Sequence, residues 1–457
     1  MNLKKNDIRR ASITGYTSEG AGVCRVEGVP VFVPRAAIGD DLFVRVLKTK
    51  KTYAFGRIEE LILPSPDRTR EDCPIFSKCG GCAFRHITYE AELASKKARV
   101  EDAFSRIAGI SADIPDVLPS PDIDGYRNKA IYQLGRNEAG VFAGFYRRHT
   151  HDVIPAPNCR LHPDLASRIA ASFCAYASRR GLSVFDEAAG RGLLRHLFIR
   201  TSHDGRAQVG LVTSGEPFLE PEAFIARLLD DCPEIESILQ IENREPGNVV
   251  LRGEVTPLYG PEKLRDELLG LSFDLSPFSF YQVNRRQAEA LYRLAAEFAS
   301  LSGAETVFDL YCGTGTISLC LAAQGAGRVY GVEHSPGAVR DAYENALENN
   351  IENAEFLEDD AAAAASRLTA RGIRPDVVIV DPPRKGLSPE AVDVVLAASP
   401  ARIVYVSCAP ATLARDTRLF VDAGYELSRV QPVDMFPRTA NIETVVLLSK
   451  QKVNHLY

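Results

Sequence analysis

The sequence predicts three folded units in series: a small OB-like β-barrel over 1–64, an α+β domain over 65–274 and a doubly wound α/β domain over 275–457. Three observations carry this reading. Short alternating runs separated by glycines crowd the start of the chain. Mixed strand and helix patterns fill the middle. From about residue 275, apolar strands that end in acids alternate with helices. A chain of 457 residues is also too long for a single core.

Hydrophobic residues make up 45%, as in packed globular proteins. No apolar stretch is long enough to span a membrane. The start, Met1 to Asp7, has no apolar core of the signal-peptide kind, so a cytoplasmic chain without a membrane partner is expected. Ten cysteines in a reducing compartment point to metal binding, catalysis or burial rather than to disulfides. The net charge of −6 excludes a uniformly basic nucleic-acid binder. The charge is uneven, however. Residues 1–57 carry 11 Lys and Arg against 5 Asp and Glu, and Arg127, Lys129, Arg136, Arg147 and Arg148 face Glu138 alone in sequence. Such local patches serve as RNA footprints or as solvated faces.

In the first unit, Gly28–Pro34, Asp41–Leu47 and Tyr53–Ile58 alternate apolar with polar or small residues, and Gly20, Gly22 and Gly39 mark turns. About five such strands suggest a barrel of the OB type. Lys48, Lys50, Lys51 and Tyr53 gather around one loop, a mixture that suits single-stranded nucleic acid. A purely structural cap is the plain alternative. A proline-rich linker, Leu63 to Arg68, closes the unit.

Cys73, Cys79 and Cys82 then fall within ten residues, with Gly80 and Gly81 in the turn. Crowding of this kind lets one loop turn several thiolates toward one centre. Cys159, in another proline-rich loop, is the best fourth ligand. Spacing alone leaves zinc and iron–sulfur both open. Residues 89–108 read as an amphipathic helix with Leu93, Val100, Phe104 and Ile107 on one side. Strands around 130–134, 197–200 and 207–212 and helices at 163–180 and 221–230 suggest an antiparallel sheet with helices.

The last unit carries the chemistry. Val307–Leu310 is a strand that runs into Tyr311-Cys312-Gly313-Thr314-Gly315-Thr316, with a helix from Ile317. The glycines let a ligand approach the backbone, and Glu333, at the end of strand Arg328–Glu333, suits ribose hydroxyls. The dinucleotide fingerprint wants a further glycine where Ile317 and Ser318 stand, so an adenosine cofactor without pyrophosphate, such as S-adenosylmethionine, fits better. Asp381-Pro382-Pro383-Arg384 follows the fourth strand, its prolines stiffening a loop that turns Asp381 toward the cleft. Cys408 follows the strand Ala401–Ser407, and Pro410 stops that strand. In α/β sheets ligands bind beyond such strand ends, although a lone cysteine is usually core. Thr439–Leu448 reads as an edge strand with Glu443 at its mouth, where a carboxylate is out of place unless it works in the cleft.

These motifs, with Ser279-Phe280-Tyr281-Gln282-Val283-Asn284, resemble the RNA uracil-5-methyltransferases over nearly the whole chain. The resemblance implies an N-terminal TRAM barrel and a C-terminal Rossmann-like methyltransferase domain. It also implies a 4Fe-4S cluster on Cys73, Cys79, Cys82 and Cys159. Gln282, Tyr311, Glu333 and Asp381 fall on the family's S-adenosylmethionine positions, Cys408 on its nucleophile and Glu443 on its base. Two positions depart from the pattern: Asn441 stands where the family often has His, and Ala409 where it often has Asn. The implied reaction is chemically sound. Carbon 5 of uracil is too weak a nucleophile until a thiolate adds to carbon 6, and a carboxylate then removes the carbon 5 proton. The barrel and the cysteine set resemble the 23S rRNA branch of the family rather than the tRNA branch, and a monomeric enzyme is expected. Two other readings have less support. An amino-group methyltransferase places an aromatic after Asp-Pro-Pro, where Arg384 stands here, and needs no cysteine. A non-catalytic RNA-binding iron–sulfur protein would have no use for both Cys408 and Glu443.

Overall fold

In the computed structural model, residues 3–451 are described, apart from 216, 217, 219, 246 and 248. Met1 and Asn2, the head of the stretch read above for a signal, lie outside the described residues. No helix among the described residues is long and apolar enough to cross a membrane.

The N-terminal sheet has six strands, among them Val29–Val33, Asp41–Thr49 and Ala54–Leu63. Its alternation turns Val31, Val33, Leu42, Val44 and Val46 into one core and leaves Phe32 and Phe55 outside.

The central sheet has seven strands and is mixed rather than antiparallel. Ala207–Thr213 and Ile235–Glu242 pair in parallel, while the other pairs run antiparallel. The reason is connectivity: helix Pro221–Asp231 lies between those two strands and carries the chain back to start the second in the same direction. This helix and Asp164–Arg179 bury Phe173, Phe224 and Leu228 against the sheet.

The predicted helix at 89–108 is α-helical over Tyr89–Ala103 and continues as a π-turn over Phe104–Ala108. The wider turn rotates Ile107 outward, leaving it 51% exposed instead of on the buried side. The buried face is also more polar than expected, with Glu92 and Lys96 lying beside Val100 and Ala103. The segment packs on the C-terminal domain: Val100, Phe104, Ile114 and Val117 share a core with Leu413, Phe420 and Val446.

The C-terminal sheet has strands β1 (Thr306–Leu310), β2 (Arg328–Glu333), β3 (Ala354–Glu358), β4 (Val377–Val380), β5 (Arg402–Ser407), β6 (Tyr425–Val433) and β7 (Glu443–Lys450). Their order is β3-β2-β1-β4-β5-β7-β6. The first five are parallel, and their near-continuous apolar runs, such as Val377-Val378-Ile379-Val380, suit burial on both faces. β7 corrects the edge-strand expectation: it lies inside the sheet, antiparallel to both β5 and β6. An all-apolar strand from Val445 to Leu448 needs neighbours on both sides to pair its backbone away from water.

Candidate active site and cysteine centre

The antiparallel insertion of β7 makes the site. A parallel strand ends where an antiparallel neighbour begins, so the end of β5 and the start of β7 share one rim. The last ladder pair is Ser407–Thr444, and one step beyond it Cys408 and Glu443 are neighbours. Cys408 is half-buried, and Glu443 is 4% exposed. Asp381 follows the end of β4, the strand next to β5.

These groups act on one another electrostatically. Burial pushes the Cys408 thiol up, the Glu443 and Asp381 charges push it further, and the Arg384 guanidinium pulls it back. Burial and Asp381 hold Glu443 well above the usual carboxylate range, with Arg384 again opposing. Burial, then Asp309, pushes Asp381 up to about 7. One cation among two carboxyls and a thiol favours the ionised forms that a nucleophile or a general base needs.

A cleft of about 500 Å³ opens over Cys408, and three parts of the chain wall it: Ser18 and Glu19 from the barrel, Gly80 to Ala83 from the cysteine loop, and Arg384 and Asn441 from the C-terminal domain. Arg99 and Arg148 also line it. Arg99 donates to the carbonyls of Ala440 (2.6 Å) and Ser18 (3.4 Å), and Arg148 to the carbonyl of Cys82 (3.3 Å). Asn441 accepts from Arg384 at 3.3 Å through Oδ1. Sequence reasoning missed Arg99, which reads there as one more charge on an amphipathic helix.

A second cavity, about 610 Å³, lies beyond the ends of β1 and β2 and is lined by Phe280, Gly313, Thr314, Glu333 and Ser335 among others. Glu333 accepts from the backbone N–H of Gly313 (3.2 Å) and of Ser335 (2.8 Å). Gly315 has φ 79°, and a Cβ there would meet the Phe356 ring at 2.9 Å, so only glycine fits. Asp309 is buried with Oδ1 unpartnered, and burial pushes it up to about 6. An acid facing the cavity beside an open glycine turn fits an adenosine ligand. Of the predicted cofactor residues, Gly313 and Glu333 line this cavity. Gly315, Gln282, Tyr311 and Asp381 are outside its lining. Tyr311 takes a left-handed backbone (φ 75°), its N–H bonded to the Val332 carbonyl, and Gln282 is buried with its carbonyl accepting from Asn128.

The four predicted ligand cysteines meet: Cys73, Cys79, Cys82 and Cys159 line one cavity of about 300 Å³. Burial pushes Cys82 up to about 11 and raises Cys79 and Cys159, and neighbouring thiols add to each rise. Cationic and N–H groups answer this. Arg85 Nε donates to Cys82 Sγ at 3.4 Å, and the Gly81 N–H to Cys79 Sγ at 3.3 Å. Among the described residues no three His, Cys, Asp or Glu side chains close around a single ion.

On the outer face of the barrel, the rings of Phe32, Tyr53 and Phe55 form a triangle with centroids 5.3–5.9 Å apart. Lys48, Lys50 and Lys51 are exposed in the adjoining strand end and loop. The sequence singled out Tyr53. The two phenylalanines join it because β pairing sets Phe32 opposite Phe55.

A doubly wound sheet in the order found here, with a glycine turn and strand-end acid after β1 and β2, defines a Rossmann-like domain that binds an adenosine-type ligand beyond its strand ends. Comparison with known proteins narrows this. A family model described as tRNA (Uracil-5-)-methyltransferase matches residues 270–451, and the TRAM domain model matches residues 3–58. An uncharacterized RNA methyltransferase of Halalkalibacterium halodurans is 41% identical over 448 residues, 98% of each chain. Another, of Clostridium tetani, is 38% identical over 98% of this chain and 97% of its own. The crystal structure of Pyrococcus abyssi tRNA (uracil-54, C5)-methyltransferase with S-adenosyl-L-homocysteine superposes with TM-score 0.78 and 28% identity, covering 96% of this chain and 100% of that one. The chain belongs to the RNA uracil-5-methyltransferase family, enzymes that methylate RNA from S-adenosylmethionine.

Proposed function

We propose that this protein methylates carbon 5 of a uridine in 23S rRNA through a covalent adduct between Cys408 and carbon 6. The observation that carries the reading is the ladder position that makes Cys408 and Glu443 neighbours at one rim, beside Asp381 and Arg384. Arg384 favours the Cys408 thiolate, which adds to carbon 6 and leaves an enolate that makes carbon 5 nucleophilic. Bound S-adenosylmethionine would give its methyl group to carbon 5, the sulfonium–methyl bond breaking to leave S-adenosylhomocysteine. Glu333 and Gly313, which line the cavity, would hold it, and Gly315, Gln282, Tyr311 and Asp381, outside that lining, are assigned to its orientation. Glu443 then takes the carbon 5 proton. That C–H pair forms the carbon 5–carbon 6 double bond, and the sulfur–carbon bond breaks to return the thiolate. The target base leaves its stack to reach this depth. Arg99 and Arg148 suit its phosphates, and the barrel's rings and lysines suit flanking single-stranded RNA.

The same reading gives Cys73, Cys79, Cys82 and Cys159 a 4Fe-4S cluster. Four thiols around about 300 Å³ leave room for a polynuclear centre, whereas one zinc draws its sulfurs in to about 2.3 Å. Donors to the sulfurs are what an anionic cluster needs. A tRNA substrate is the second reading. The match to a tRNA enzyme covers 96% of this chain, so overall architecture does not separate the two RNAs.

The test is a pair of variants. Cys408→Ala is expected to lose both methylation and the covalent protein–RNA complex. Glu443→Gln is expected to add and methylate once, then remain as a slow band on a denaturing gel, and wild type is expected to do the same with 5-fluorouridine RNA. Activity in Cys408→Ala, or a Glu443→Gln complex carried by another cysteine, would refute the mechanism. Mapping 5-methyluridine in rRNA and tRNA from cells lacking the gene decides between the substrates.

A further inference from the structure

Glu443 stands at the end of an unusual loop. Residues 434–442 connect β6 to β7, the ladder closing at Val433–Glu443. Thr439, Ala440 and Asn441 of this loop also line the cleft over Cys408. Arg438 holds a left-handed backbone (φ 66°), which residues other than glycine rarely adopt. Such a conformation persists only when its surroundings over-determine it.

The surroundings come from far away in sequence. Lys96, on helix Tyr89–Ala103, donates to Asp434 Oδ1 (2.6 Å), to Glu92 Oε1 (2.7 Å) and to the Phe436 carbonyl (3.2 Å). Glu92 Oε1 accepts from the Arg438 N–H at 2.7 Å, and the Tyr89 hydroxyl donates to Asp434 Oδ2 at 2.7 Å. The N–H groups of Ala83 and Phe84, immediately after Cys82, both donate to the Arg438 carbonyl (2.8 and 3.1 Å). The Lys96, Glu92 and Asp434 side chains are 1%, 0% and 0% exposed. Buried charges are a poor way to stabilise a core, since apolar residues of similar volume usually do as well. They are a good way to fix a loop whose buried N–H and C=O groups need partners.

We propose that Glu92 and Lys96 are positioning residues for the general base: they clamp the 434–442 loop so that Glu443 meets the carbon 5 proton. The inference rests on the reading of Glu443 as the base. It makes the segment after the cysteine loop part of the release step, although it touches no reacting atom. Glu92→Leu removes the acceptor for the Arg438 N–H, and Glu92→Gln keeps an oxygen there. Tyr89→Phe removes one restraint on Asp434 with little change of shape.

The full-length enzyme is assayed on an unmodified 23S rRNA transcript. In Glu92→Leu, methyl transfer in a single turnover stays near wild type, while kcat falls about 10- to 100-fold, the scale of a small misplacement of a catalytic group. The covalent RNA complex accumulates on a denaturing gel. Glu92→Gln restores both, and Tyr89→Phe shows the same shift on a smaller scale. If Glu92→Leu does not fold, Tyr89→Phe decides. Folded variants whose adduct fraction equals that of wild type, or whose loss lies in methyl transfer itself, overturn the proposal. A wild type that forms no adduct with 5-fluorouridine RNA overturns the covalent reading, and this inference with it. A wild type that forms one while the variants do not differ overturns this inference alone.

Discussion

Replacing Glu333 with Gln is expected to weaken S-adenosylmethionine binding about 10- to 160-fold, the equivalent of about 1.5–3 kcal/mol for a lost charge-assisted hydrogen bond. The magnitude follows from what the carboxylate does. One oxygen accepts from the Gly313 N–H and the other from the Ser335 N–H. A carboxylate has lone pairs to spare on both oxygens for ribose hydroxyls. A carboxamide has one oxygen, so in either orientation its NH₂ faces one of these N–H groups, and the glycine turn loses a restraint on the cavity side. Isothermal calorimetry on the purified protein measures the change. S-adenosylhomocysteine shares the ribose and should lose affinity in parallel. Unchanged affinity for both ligands would refute the placement of the ribose at Glu333. A loss confined to the sulfonium form would show that the charge of Glu333, not its hydrogen bonds, is what binds.

Cys159→Ser is expected to lower iron below about four per chain and bleach the brown colour of protein purified without oxygen, because a cubane needs four thiolates. Stoichiometric zinc without iron in the wild type would sink the cluster assignment. The same variant should lower the thermal midpoint, since Cys159 and the 73–82 loop meet at that cavity. The pH dependence has opposite signs for activity and stability. Cys408 and Glu443 must both be ionised, and both are raised, Cys408 by burial and the Glu443 and Asp381 charges, Glu443 by burial and the Asp381 charge, so kcat/KM should climb with pH and fall away in acid. Asp381 is raised from the usual carboxylate range to about 7, so its contribution to stability is fully present below its unfolded pKa and is lost as pH rises through about 7. The ligand-free protein should therefore melt lower on the alkaline side of that window. A kcat/KM profile that falls with rising pH would contradict the assignment of both groups.

The groups proposed for the chemistry were legible in the sequence because each carries a local signature. Cys408 follows an apolar run and precedes a proline. Gly313, Gly315 and Glu333 sit where a strand gives way to a turn. Cys73, Cys79 and Cys82 share one loop. These are short-range facts, and periodicity with turn chemistry exposes them. What the sequence could not decide is which strands lie side by side. It read β7 as an edge, while the structure inserts it between β5 and β6, and that insertion makes Cys408 and Glu443 neighbours. It read the helix at 89–108 as a simple apolar face, while the structure buries Lys96 and Glu92 against a loop some 340 residues away in the chain. Arg99 became part of the cleft only when barrel, helix and loop met there. Local backbone preference and side-chain pattern act over a few residues, so the sequence by itself determined most of the elements and singled out the groups proposed to react. Strand order, the parallel pair in the central sheet and the buried ion cluster depend on contacts between distant segments, and only the packed tertiary structure satisfies all of those at once.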